Sequence, residues 1–144
     1  MTDHIRLDLA IEPLDFLTGF NVTDAWVGTG TFLVLDLAEA SARTACLWVY
    51  LADWAILADE QEILVSDGLP ADRTRRLPAE ILVGRYFVGA TRVADDELHL
   101  DFSEGLRLEI WENQEAYGVG AELLHLIRDG GLVATLTFAS PPLH

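Results

Sequence analysis

Two aspartates, Asp36 and Asp101, stand 65 residues apart in like surroundings, Leu35-Asp36-Leu37 and Leu100-Asp101-Phe102. Paired carboxylates do acid–base work when one cleft holds both. The plainer expectation is that each ends a strand and caps the following turn, a task copied along with the fold. His99 and Asp101 share a strand face at i and i+2, a spacing able to serve a metal. No third ligand stands near them in sequence, and structural zinc groups its Cys and His more closely, so no metal site is assigned. His4 and His144 are scattered, and His125, inside Leu-Leu-His-Leu-Ile, reads as a packed or edge histidine. Cys46 lies in the apolar run Ala45–Val49 of an acidic chain. A reactive thiolate needs an electropositive, partly open setting, so an inert buried thiol is expected. There is no nucleophile elbow, phosphate loop or dinucleotide fingerprint. Gly28-Thr29-Gly30-Thr31 joins two expected strands and reads as a hairpin turn. No catalytic set and no cofactor site emerges, and the chain reads as a non-enzyme.

What must position these residues is bounded by composition. The chain has 144 residues, 51% of them hydrophobic, one cysteine, and a formal net charge of −15. That length predicts one domain able to bury a core without disulfides or metals. A lone cysteine excludes an intrachain disulfide framework and makes the cytoplasm the expected compartment. The N-terminal Met1–Arg6 has no apolar core of a signal peptide, and the longest apolar stretch, Ala45–Ala52, is too short to span a bilayer. All nine basic residues are Arg, a bias that suggests a GC-rich, bacterial source. The charge exceeds the magnitude of about 2–8 that solubility asks of a small domain. It repels nucleic acid and anionic membranes and speeds the capture of basic partners. A merely solubilising surface is the simpler alternative.

Sliding the chain along itself by 65 residues organises it. Pro13-Leu14-Asp15-Phe16-Leu17-Thr18-Gly19 falls on Pro78-Ala79-Glu80-Ile81-Leu82-Val83-Gly84, and the register holds without a gap to Glu39 and Glu104. Eight of the 27 aligned positions are identical. Beyond a short insertion, Leu47-Trp48-Val49-Tyr50 sits opposite Leu108-Glu109-Ile110-Trp111, and Trp54–Leu57 opposite Leu124–Ile127. The expectation is one domain, 1–144, made of two repeats at about 13–65 and 78–138. Loop 66–77 joins them and holds the only basic cluster, Arg73, Arg75 and Arg76.

Each repeat reads as strands. Leu98–Phe102 and Leu106–Ile110 alternate apolar with polar residues around the turn Ser103-Glu104-Gly105, a hairpin pattern. Leu132–Phe138 and Ile5–Ile11 also read as strands, the latter an outer one. Asp53–Leu64 and Ala121–Arg128 fit either a helix or a hairpin; their equivalence in the repeat favours hairpins. The predicted fold is mainly β: a pseudo-twofold antiparallel β-sandwich or flattened barrel, with short helical turns allowed.

What remains for function is surface. Asp59, Glu60 and Glu62, then Asp95, Asp96 and Glu97, then Glu109 through Glu115 with Glu112 between them, form acidic stretches at or near expected turns. Trp26, Trp48, Trp54 and Trp111 are core residues unless one lies exposed beside an acidic rim, where it becomes a binding hot spot; Trp111 is the candidate. The run from Leu98 through Gly105 to Trp111 resembles a pattern in small β-rich bacterial proteins, some of them immunity proteins of polymorphic toxin systems. That resemblance, echoed at Leu33–Val49, implies a short, acidic, cytosolic protein that binds a toxin domain and blocks its active site, and it carries over no functional residue. The leading expectation is thus a non-catalytic protein that neutralises a basic partner. The alternatives are a small-molecule-binding or catalytic barrel built on Asp36 and Asp101, and a homodimer paired through Ile5–Ile11.

Overall fold

The computed structural model describes residues 5–8, 12–28, 32–40, 43–66, 79–94, 97–117, 123–128 and 131–137. Loop 67–77, Asp95, Asp96, the turn at 29–31, His4 and His144 lie outside these. Eleven strands are described: β1 (Ile5–Asp8), β2 (Asn21–Val27), β3 (Leu33–Ala38), β4 (Thr44–Val49), β5 (Asp53–Ala58), β6 (Gln61–Val65), β7 (Phe87–Ala94), β8 (Glu97–Phe102), β9 (Leu106–Trp111), β10 (Leu124–Arg128) and β11 (Gly131–Thr137). A single turn of helix, α1 (Gln114–Tyr117), and short 3-10 turns fill the gaps.

The alternation seen in the sequence is the burial pattern of the strands. Leu33, Leu35 and Leu37 of β3 point inward, as do Leu98, Leu100 and Phe102 of β8 and Leu106, Leu108 and Ile110 of β9. These residues merge into one core cluster between two sheets, the arrangement of a β-sandwich. β5 is buried at four successive residues, Trp54 to Leu57, because neighbours cover both of its faces. That double burial is why its sequence also fits a helix.

One sheet has six strands in the order β1-β11-β10-β4-β3-β2; the other has five in the order β6-β5-β9-β8-β7. The meander β2-β3-β4 lies in the first sheet, yet the hairpin that follows it, β5-β6, crosses to the second and pairs with β9. The meander β7-β8-β9 lies in the second sheet, and its hairpin β10-β11 crosses back to pair with β4. The two exchanges match in register. Leu47 faces Leu126 in one, and Leu108 faces Ile56 in the other.

At the β2 and β7 edges the sheets touch through an antiparallel bridge between Asn21 and Tyr86, residues 65 apart. Its hydrogen bonds come in matched couples. Gly19 N–H donates to Phe87 O at 2.9 Å and Gly84 N–H to Val22 O at 2.8 Å. Phe87 N–H donates to Phe20 O at 2.9 Å and Val22 N–H to Arg85 O at 2.8 Å. A bridge between like residues places a local twofold axis between them.

One strand departs from the antiparallel expectation: β1 is an outer strand, but it runs parallel to β11. β1 and β2 run the same way at opposite edges of their sheet, so the chain between them returns from one end of the sandwich to the other. The 3-10 turn Glu12–Leu17 lies on that return and inserts Leu14 and Leu17 into the core.

Ser66, expected to open the loop, instead closes the β5-β6 hairpin. Its Oγ accepts the Trp54 backbone N–H at 2.9 Å and donates to Asp53 Oδ1 at 3.3 Å, and it is only 4% exposed. Asn113 Nδ2 holds the other Asp53 oxygen at 2.8 Å. Ser66→Ala should cost about 1–3 kcal/mol, because it strands the Trp54 N–H in the interior. Urea denaturation at constant m-value checks this.

Candidate functional site

Strand alternation sends every second residue outward, so the outer face of the five-stranded sheet follows from its register. One row across the strands runs Glu62, Leu57, Arg107, Asp101; the next runs Ala55, Glu109, His99; the third runs Asp53, Trp111, Glu97. Among the described residues of these three rows, five carboxylates stand with a single guanidinium. Arg107 Nε donates to Asp101 Oδ1 at 2.8 Å, while its Nη1 stands 3.9 Å from Glu109 Oε2. The hydrogen bond to Asp101 is the main reason the guanidinium is held still more firmly protonated than usual. His99 Nε2 lies 2.5 Å from Glu97 Oε2 and 3.4 Å from Glu109 Oε2.

Two rims extend the face. Asp59 and Glu60 form the exposed β5-β6 turn at one end, beside a depression of about 420 Å³ that Leu57, Val88, Asp101 and Arg107 also line. Glu112 and Glu115 follow β9 at the other end, next to the partly exposed Trp111. Of the expected partner-binding residues, the register therefore gathers Glu62, Glu97 and Trp111 on one face, with Asp59, Glu60, Glu112 and Glu115 at its ends. Asp95 and Asp96 lie outside the described residues.

The six-stranded sheet carries a depression of about 390 Å³ at the corresponding place, lined by Thr23, Asp36, Thr44, Cys46 and Ile127 among others. Asp36 and Asp101 therefore line separate depressions on the outer faces of different sheets, not one cavity. Nor do they cap turns. Each sits within its strand opposite a cross-strand partner, Cys46 for Asp36 and Arg107 for Asp101. A barrel using both carboxylates on one substrate does not fit that placement.

Cys46 is partly buried, and its thiol is pushed up to about 12, first by burial and then by the charge and hydrogen bond of Asp36. Iodoacetamide at pH 8 should label it about 10–100-fold more slowly in the native protein than in urea, because the loss of thiolate outweighs the greater nucleophilicity of a weaker acid's thiolate. Mass spectrometry over time checks this, and fast native labelling would contradict it.

The same outer face also carries an aromatic cluster that sequence reasoning missed. Phe32, Trp48, Tyr50 and His125 pack with ring centroids 4.9 to 6.0 Å apart. The signal was present in Cys46-x-Trp48-x-Tyr50, whose spacing aims alternate residues the same way. The pairing of Trp48 with His125 came only with the exchanged hairpin. Trp54, in contrast, is in the core. Comparison with protein-family models, curated proteins and solved structures finds no match for this chain.

Proposed function

We propose that the chain is a non-catalytic acidic binding protein, and that a basic protein partner docks on the outer face of the five-stranded sheet. The observation that carries this is the excess of carboxylates on that one face, with acidic rims at both ends. Trp111, partly exposed between Asp53 and Glu97 in the register, supplies an aromatic anchor. Val88, 56% exposed at the depression, adds apolar surface. Glu60 supports the reading from another side. It holds φ +70° in a two-residue hairpin turn whose second position suits Gly, a conformation that costs a non-glycine residue about 1–2 kcal/mol. A strained carboxylate at the rim of the face supports a role for that turn in binding.

The mechanism is electrostatic capture followed by steric cover. The field of the chain steers a cationic surface to the face, and the aromatic and apolar residues slow its departure. The narrower form of the proposal, resting on the resemblance described above, is an immunity protein that neutralises a cognate toxin. Such proteins are encoded beside their targets. The test is surface plasmon resonance against the purified product of the adjacent gene at low and high salt. Glu60→Lys/Glu62→Lys/Glu97→Lys should lower the association rate about tenfold or more and flatten its salt dependence. Unchanged rates in the triple variant would overturn the docking face. A neighbour that does not bind at all would overturn the toxin-neutralising form.

A further inference from the structure

We propose that Glu97, His99 and Glu109 form a binding site for a divalent transition-metal ion of the zinc type. One ligand atom from each residue lies within 4.8 Å of the other two. The imidazole Nε2 faces both carboxylates, at 2.5 Å from Glu97 and 3.4 Å from Glu109. Donor atoms sharing a tetrahedral ion with bonds of about 2.1 Å stand roughly 3.4 Å apart, so small side-chain adjustments bring the three to ligation. Two carboxylates and one neutral imidazole also balance a dication without leaving net charge behind.

The backbone favours this use. His99 and Glu109 are direct cross-strand partners, and Glu97 is two residues along the same face. β8 and β9 are inner strands, hydrogen-bonded on both sides, so the ligands stand on the stiffest part of the sheet. Their side chains are 13%, 19% and 33% exposed for His99, Glu109 and Glu97: sheltered, yet open to an ion from solvent. Arg107 is engaged by Asp101 and stands farther from Glu109 than His99 does.

The other sheet supplies an internal control. At the places of Glu97, His99 and Glu109 it carries Phe32, Val34 and Trp48, with Val34 and Trp48 in the same cross-strand register. The fold therefore accepts apolar residues at all three positions and does not itself call for a Glu-His-Glu set. Imidazole selects zinc-like ions over magnesium and calcium. Three protein ligands leave at least one coordination position for water or for a side chain of a docked partner.

The inference stands apart from the docking proposal, because its probe is the metal alone. Zn²⁺ is titrated calorimetrically into the tag-free full-length chain with Mg²⁺ in excess. One equivalent should bind in spite of the Mg²⁺. His99→Ala, and separately the near-isosteric Glu109→Gln, should weaken it by at least about 10–100-fold, while His125→Ala leaves it intact. Circular dichroism confirms that each variant is folded, and Glu97→Gln replaces any that is not. No Zn²⁺ uptake, equal uptake by the His99 variant, or full displacement by Mg²⁺ would each overturn the site.

Discussion

Replacing Trp54 by Ala should lower the unfolding free energy by about 3–5 kcal/mol, the range for emptying a large aromatic site in a packed core. Trp54 is fully buried, at 0% exposure. It belongs to the exchanged strand β5 and faces Ile110 of β9 across the ladder. Truncation therefore leaves a cavity at the place where the first half of the chain is built into the sheet of the second. Domains of this size are stable by roughly 5–15 kcal/mol, so the variant loses a large share of the total. Leu124 occupies the matching place in the other exchanged hairpin, facing Val49 of β4, and Leu124→Ala should cost about 2–5 kcal/mol. Urea titrations followed by circular dichroism check both. A loss below about 1 kcal/mol at Trp54 would mean that the core is not packed as described.

Gly105→Ala should cost about 2–3 kcal/mol, more than its backbone angle alone would explain. Gly105 holds φ +77° in the turn between β8 and β9, and a Cβ there would stand 2.3 Å from Asp59 Oδ1. The Asp59 N–H also donates to Gly105 O at 3.0 Å, which ties this turn to the β5-β6 turn. Asp59 is exposed and its carboxylate can turn aside with that backbone bond intact, so the added cost is the rotamer it gives up, at most about 1 kcal/mol. Gly19 and Gly84 separate the two contributions. They hold φ +88° and +86° with nothing within 4 Å of the added carbon. Gly19→Ala and Gly84→Ala should therefore show only the left-handed cost of about 1–2 kcal/mol. Adding Asp59→Ala to Gly105→Ala should recover part of the loss, a non-additivity of about 0.5–1 kcal/mol. Strict additivity would remove the contact from the account.

The strands most legible in the sequence were those with one wet face. Leu98–Phe102 and Leu106–Ile110 alternate because the outer side of β8 and β9 meets solvent and the inner side meets the core. Asp53–Leu64 was ambiguous because β5 is buried on both faces, and a continuous apolar run carries no period. The exchange of hairpins was not legible at all. Hydrophobic pattern says which face a strand buries, not which strand lies beside it. The same gap explains the candidate site. Spacing alone pairs His99 with Asp101, since i and i+2 share a strand face. The contact of His99 with Glu109 depends on the β8-β9 register, and Asp101 turned instead to Arg107. The acidic residues at 59–62 and 97 were visible as charge, but their gathering on one sheet came from β5-β6 crossing to join β9.

That crossing has a thermodynamic meaning. A fragment ending near Ser66 would hold a three-strand meander and a hairpin that shares no ladder with it, and the same is true of the fragment that follows. Neither piece closes a sandwich by itself, so melting one half removes the sheet partner of the other, and loss of structure propagates across the whole molecule as a single event. A single such unit would need a second copy of itself to complete both of its sheets. The segment joining the halves turns that second-order association into an intramolecular closure, which frees the fold from dependence on its own concentration.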